Sequence, residues 1–282
     1  MTTYRKYLPD GDYVVLPDLQ IPSHDGKALK AVCDFIADFQ PKGVLNVGDE
    51  SDSPEPARWN KGQVEEYIGT FWENALLTNR IMQQVDDALR MQRGDVADPV
   101  TDLEHHVMRS NHGDRVLNYL RKYAPALEGK GSPLTIPRIF GYNDSPIVNG
   151  ADPLPIHWHD RLWEFAPGWV LAHGDEGSLI RTAGGTALNI AKRIGASVVC
   201  GHTHKAGVQH HTSGFNHRDT QRLVGVEVGH LMDMRKAGYL KGGHANWQQA
   251  FAILTIHKRK VHPRLVLFHG KSFAIEGQVY SW

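Results

Sequence analysis

The sequence predicts an α/β fold in which two packed sheets are flanked by helices, on three observations. Strand–helix–strand units fill the first part of the chain, strand-like alternation dominates the last third, and 282 residues suit one large domain. Tyr13-Val14-Val15-Leu16 is a short apolar run ending at Pro17-Asp18, as expected of a buried strand that delivers a carboxylate at its C-terminal end. Asp25 then caps a helix through Phe39, with Leu29, Val32, Cys33, Ile36 and Phe39 at three- and four-residue spacing, and Pro41 stops it. Val44-Leu45-Asn46-Val47 is the next strand and ends at Gly48-Asp49. A parallel crossover of this kind puts Asp18 and Asp49 at the same sheet edge.

Residues 64–90 read as a long helix with Tyr67, Ile68, Phe71, Leu76, Ile81, Val85 and Leu89 on one face, broken by residues 94–99. Residues 105–109 are a third strand ending at Ser110-Asn111-His112, followed by a short helix from Asp114 through Leu120. Residues 125–155 are rich in Gly, Pro, Ser and Asn and are expected to form an irregular insertion passing over the site, within a single domain spanning 1–282. Trp169-Val170-Leu171-Ala172 delivers His173. Gly184-Gly185 precedes a helix over residues 186–193, and Ser197-Val198-Val199-Cys200 delivers Gly201-His202-Thr203-His204. Residues 208–212, 223–228, 251–256 and 264–268 alternate as strands, and the chain has no internal repeat.

Composition narrows the function classes. Lys+Arg equals Asp+Glu at 31 each, so net charge shows no basic footprint for gripping long nucleic acid. Lys258-Arg259-Lys260 is a local basic candidate that reads more simply as a solvated turn. Cys33 and Cys200 lie far apart in apolar segments and read as buried thiols, which suits a reducing compartment. The first residues lack the apolar stretch of a secretion signal, and no run approaches the roughly 18 apolar residues of a membrane helix. The expectation is a soluble protein of the cytoplasm, with no membrane partner. Seventeen histidines point toward metal or proton chemistry.

Five short pieces carry that chemistry: Asp18-Leu19-Gln20, Gly48-Asp49-Glu50-Ser51-Asp52, Asn111-His112, His173-Gly174 and Gly201-His202-Thr203-His204. Singly, each reads as a turn or a cap. Together, and mostly after apolar runs, they read as a two-metal site. Two adjacent divalent cations need a bridging carboxylate and oxygen or nitrogen ligands on both sides. Asp49 is the natural bridge, because Gly48 lets the backbone turn close to the ions. Asp18 and His204 would serve one ion, and Asn111, His173 and His202 the other. His112 is the candidate general acid, with Asp52 holding its ring. Two ions of this kind imply attack of a metal-bound hydroxide on phosphorus.

These pieces resemble the calcineurin-like metallophosphoesterase superfamily, whose signature runs Asp-x-His, Gly-Asp-x-x-Asp, Gly-Asn-His-Asp/Glu, His-Gly and Gly-His-x-His. The matching elements span residues 18 to 204. Residues 18–22, Gly184-Gly185-Thr186-Ala187-Leu188-Asn189 and Asn246-Trp247-Gln248-Gln249 are also similar to a phage-encoded branch that includes mycobacteriophage phosphoesterases. The resemblance implies a four-layer αββα sandwich, a pair of Mn2+, Fe or Zn2+ ions, and hydrolysis of phosphomonoesters or phosphodiesters. A phage source would place the protein in the host cytoplasm. The substrate class it favours is a phosphodiester, such as a 2′,3′-cyclic nucleotide or a nucleic acid end.

Two departures stand out. Gln20 occupies the place where the superfamily has His; its neutral, harder oxygen would bind an ion more weakly and favour Mn2+ or Mg2+ over Zn2+. Alternatively, Gln20 only hydrogen-bonds a metal-bound water. His24 is a less favourable substitute ligand. Ser110 and Gly113 flank Asn111-His112 where Gly and an acidic residue are usual, and Asp114-Arg115 follows one step later. Arg115 is either a phosphate-contacting guanidinium or one member of a buried helix-start pair with Asp114, and the pair is the preferred reading. His105 and His106 are expected to be strand residues, one buried and one exposed. His210, His211 and His217 read as surface positions, and His230 and His244 as approaching the site from the β-rich half. Trp247 reads as core or as a base-stacking surface. Two rival functions remain: a binding module that kept the fold without catalysis, and a DNA nuclease acting with a partner.

Overall fold

A computed structural model describes residues 7–57, 62, 70–91, 102–129, 131–236 and 245–282. The first sheet has six strands: β1 (Gly11–Leu16), β2 (Gly43–Asn46), β3 (Glu104–Met108), β4 (His157–His159), β10 (Ala250–His257) and β11 (Lys260–Leu267). Their spatial order is β11-β10-β1-β2-β3-β4. β1 to β4 run parallel, and β10 and β11 continue the sheet antiparallel. The second sheet contains β5 (Leu162–Ala166), β6 (Trp169–Ala172), β7 (Ser197–Cys200), β8 (Ala206–Phe215) and β9 (Arg218–Val228), in the order β5-β6-β7-β9-β8. Its centre, β6-β7-β9, is parallel. A small hairpin, β12 (Ser272–Ile275) with β13 (Gln278–Ser281), completes the chain.

Side-chain alternation along single strands creates the four layers. On β1, Val14 and Leu16 join a core under the helices, while Tyr13 and Val15 join the core between the sheets. β10 repeats this, with Phe251 and Ile253 on one side and Ala252 and Leu254 on the other. On β7, Val199 faces the inter-sheet core, and Val198 and Cys200 face a third cluster under α5 (Gly185–Ile194). The order is therefore helices, sheet, sheet, helix, the αββα sandwich. Parallel strands in both sheets end at one edge, where open α/β sheets gather their binding loops.

The helices start and stop where local chemistry dictates. The Asp25 side chain accepts from the Lys27 and Ala28 amides to cap α1 (Gly26–Phe39), and Gln40 ends it with φ of 52°. α2 spans Phe71–Arg90 behind a capping box, with Thr70 and Glu73 satisfying each other's amides. The predicted start at residue 64 falls outside the described residues, as do the predicted break at 94–99 and His244. α3 (Asp114–Tyr123) runs one turn beyond its predicted end. Residues 125–129 and 131–155 form a 3-10 turn, the short α4 (Ile136–Phe140) and irregular backbone. This segment packs against α2: the Asn79 amide nitrogen donates to the carbonyls of Phe140 and Asp152, both at 2.8 Å.

Several expectations are corrected here. His105 and His106 are both buried. Helix α2 covers one face of β3, where His105 sits 3.2 Å from Asp86, and the second sheet covers the other, where His106 stacks on Trp163. As expected, Lys258-Arg259 forms the β10–β11 turn, both residues with positive φ. β4, β5 and the terminal hairpin add to the strands expected from the sequence. Cys33 and Cys200 are free, the first half-buried and the second buried. Among the described residues, no helix is long and apolar enough to cross a membrane.

Candidate metal centre

The loops leaving β1, β2, β3, β6 and β7 converge at the shared edge, and their backbone is shaped for close approach. Gln20, Asp49, His202 and His204 all have left-handed φ, between 50° and 64°. Non-glycine residues avoid this region, and such conformations concentrate where a site imposes them. Gly201 is required in a different sense, since a Cβ there would collide with Asp18 Oδ1. A Cβ at Gly48, whose φ is 97°, would lie 2.7 Å from Ser110 Cβ.

All seven predicted ligand residues meet here, in two groups that share Asp49. In the first group, His204 Nε2 lies 3.2 Å from Asp18 Oδ2. The Gln20 amide nitrogen donates to Asp49 Oδ2 at 3.0 Å and lies 3.4 Å from His204 Nε2. Both Asp18 oxygens accept from the His202 backbone amide, at 3.1 and 2.9 Å, which orients the carboxylate. In the second group, His173 Nε2 lies 2.8 Å from Asn111 Oδ1 and 3.4 Å from Asp49 Oδ2. His173 Nδ1 donates to the Val47 carbonyl at 3.0 Å, which fixes the ring and aims Nε2 inward. Asp49, His173 and His202 each offer a ligand atom within 4.8 Å of the others.

This donor set fits divalent cations. In each group a single N–H stands at the focus of the ligand atoms: the Gln20 amide between Asp49 and His204, and His173 Nε2–H between Asn111 and Asp49. A cation would take the place of such a group only with the Gln20 amide turned oxygen-inward and His173 deprotonated at Nε2. The charges agree. Burial works against the Asp49 charge, but His112 and His173 outweigh it and hold the carboxyl well below its usual range. Burial also works against an imidazolium at His173, yet Asp49 holds it up to about 10. Burial and then His173 push the His202 pKa down, in the direction of the neutral ring that a metal needs.

His112, Asp52 and Arg115 form a second cluster over Asp49. The His112 amide donates to Asp49 Oδ1 at 3.2 Å, and its Nε2 lies 3.7 Å from Asp49 Oδ2. His112 Nδ1 sits 2.9 Å from Asp52 Oδ1. Arg115 Nη1 donates to the same Asp52 oxygen at 2.9 Å and to the Asp52 carbonyl, and Nη2 lies 2.6 Å from His112 Nε2. The preferred Asp114–Arg115 pair is therefore corrected. Asp114 instead takes Arg109 at 2.8 Å and Arg161 at 3.2 Å, because the first turn of α3 points residues 114 and 115 to different sides. His24 forms a backbone bridge with Met232, with its ring beside Gly26, and it enters none of the site contacts described here.

The Glu50–Tyr142 contact at the site's border carries no signal in the sequence. Glu50, next to Asp49, is buried and accepts from the Tyr142 hydroxyl at 3.0 Å; burial pushes its carboxyl up to about 7. Tyr142 comes from the 125–155 segment, and no local pattern announces a contact across 92 residues. His230 approaches from the β-rich half as expected, with its ring 5.2 Å from that of His204. The Met232 amide donates to His230 Nδ1 at 3.0 Å, and burial followed by His204 pushes its pKa down to about 3. Half-buried Trp247 meets the His204 ring edge-on at 4.4 Å, so its packing partner is the site itself.

No family model matches the chain. Among solved structures, Vps29 from Entamoeba histolytica complexed with Zn2+ aligns over 95% of each chain, with TM-score 0.40 and 12% identity. A single mutant of the same Vps29 aligns over 92% of this chain and 99% of that one, with TM-score 0.35 and 12% identity. The Gene 54 protein of Mycobacterium phage L5 is 37% identical over 270 residues, covering 95% of this chain and 98% of that protein. The Gene 54 protein of Mycobacterium phage D29 is 37% identical over 274 residues, with the same coverage. At that identity over nearly the full length of both chains, this protein belongs to the family of the mycobacteriophage Gene 54 proteins.

Proposed function

We propose that the chain is a dinuclear-metal phosphoesterase that hydrolyses phosphodiesters, with a cyclic nucleotide or a nucleic acid end as the substrate class. One observation carries this reading: Asp49 is shared by two groups of ligands, with His112 placed over it. Asp18, Gln20 and His204 would hold one ion, and Asn111, His173 and His202 the other. Gln20 favours Mn2+, with Mg2+, Fe and Zn2+ as alternatives. Such an ion pair supplies a nucleophile at neutral pH and offsets negative charge on the phosphoryl group.

The chain's own residues supply the rest. A guanidinium only donates, so Arg115 occupies His112 Nε2 in the resting site. A substrate phosphate draws Arg115 onto its oxygens and frees Nε2. Nε2, once free, takes up a proton from solvent, and His112, with Asp52 2.9 Å from Nδ1 to favour its charged form, delivers that proton to the departing oxygen. Kinship with mycobacteriophage proteins supports the host cytoplasm as the place of action.

The test is turnover of an aryl phosphodiester, lost on chelation and restored by Mn2+, together with His112→Ala. That substitution should lower kcat about 100- to 1,000-fold while both ions stay bound. Equal loss of metal removes the general-acid role. Two bound ions with no turnover on mono-, di- and cyclic phosphates would favour the binding-module reading. A requirement for a partner and for DNA would favour the nuclease.

A further inference from the structure

The two loops that supply the second group of ligands are joined a second time, away from the ligands. Asn111-His112 leave β3 and His173 leaves β6, so the loops belong to different sheets. They touch directly where His173 Nε2 meets Asn111 Oδ1. Behind that contact, Arg161 reaches both from the β4–β5 connection. Its Nη1 bonds both oxygens of Asp175 at 3.2 and 3.0 Å, and its Nη2 bonds Asp114 Oδ2 at 3.2 Å. Asp175 follows His173 by two residues, and Asp114 follows His112 by two. Asp114 is buried and also receives Arg109 Nε on both oxygens, at 2.8 and 3.0 Å, and Arg109 in turn holds Asp160 beside Arg161.

We propose that Arg161 is a positioning residue that holds the His173 loop in register with the Asn111 loop, and so sets the affinity of the ion bound by Asn111, His173 and His202. The inference rests on the two-ion reading of the site, though not on which phosphoester is cleaved. A planar guanidinium has the fork geometry to hold two carboxylates at once, which a lysine ammonium lacks. Both carboxylates sit within one turn of a ligand, so a shift of either loop moves a donor atom directly. A group bonded directly to a ligand typically changes metal affinity about 10- to 100-fold, and Arg161, one contact further out and 43% exposed, is expected to act at the lower end of that range. The first group, Asp18, Gln20 and His204, has no contact with Arg161 among those described and is unaffected.

Mn2+ titration of the full-length wild type, Arg161→Ala and Arg161→Lys tests this by calorimetry, with thermal unfolding of the ion-free proteins alongside. The expected result is two ions in each, with the ion of the Asn111, His173 and His202 group about 10-fold looser in Arg161→Ala. The other ion keeps its affinity, and Arg161→Lys lies between. Asp175→Asn should repeat the effect, and combining it with Arg161→Ala should add little, because both remove one contact. Equal affinity in all variants, equal weakening of both ions, or a loss that tracks unfolding would each overturn the inference. A wild type that binds only one ion would overturn it too. Two ions behaving as expected in a protein that cleaves no phosphoester would uphold the positioning role and sink the proposed function instead.

Discussion

Around Asp49, the group of Asp18, Gln20 and His204 and the group of Asn111, His173 and His202 are built from different materials. The first has two of its three members, Gln20 and His204, in the left-handed region, against His202 alone in the second, and it carries a neutral amide where an imidazole would bind more tightly. Its surroundings are rings, His230 and Trp247, that pack on His204. The second relies on ligand basicity and on bracing, with His173 anchored to the Val47 carbonyl and its loop tied to the Asn111 loop through Arg161. On the proposed two-ion reading, the difference separates two routes to affinity: one group would depend on which atoms ligate, and the other on how firmly they are aimed.

The substitutions that test this contrast follow in order of effect. Asp49→Asn removes the oxygen charge that both groups share, so it should empty both sites and lower turnover about 1,000-fold or more, several kcal/mol of transition-state stabilisation. Retention of either ion by metal analysis would show that the groups are independent and that Asp49 is no bridge.

Next comes pH, which acts on the second group through His173. Its pKa is raised from 6.5 to about 10, so in the ion-free protein its pairing with Asp49 stabilises the fold fully below about 6.5 and is lost as pH rises through about 10. An ion entering that group must displace the proton, so its affinity should climb about tenfold per pH unit over this window. Mn2+ titration between about pH 6 and about pH 9, in buffers of different ionisation enthalpy, reads both the slope and the released proton. A flat profile would remove His173 from the ligand set.

The smallest effect is expected in the first group. Gln20→His should tighten that ion about tenfold and tilt its preference toward Zn2+, since imidazole is the softer and stronger donor. Unchanged affinity by calorimetry would take Gln20 out of the coordination sphere. A change at the second ion instead would invert the assignment of the two groups.

The β1–α1–β2 crossover was legible because strands buried on both faces read as continuous apolar runs, and α1 carries its own cap and stop. The start of α2 was legible in principle, since Thr70 followed three residues later by Glu73 is a capping box, but the apolar periodicity drew the boundary upstream. β4 and β5 escaped because His157-Trp158-His159 and Leu162-Trp163-Glu164 mix polar and aromatic residues without a clear apolar face. The convergence of the candidate ligand residues was legible because each lies in a loop after a strand end, so chain order alone places them at one edge. Their partners were not. Arg115 and Asp52 are 63 residues apart, and Arg161 lies 47 from Asp114.

The sequence by itself determined which side chains reach the edge, because strand polarity and crossover handedness leave parallel strands little choice about where their C-terminal ends lie. Only the tertiary structure decided which of those side chains face one another. Arg115 turns to Asp52, Asp114 turns to Arg109 and Arg161, and Tyr142 meets Glu50. Such pairings depend on distances between loops of different sheets, and those distances are set by how the two sheets pack.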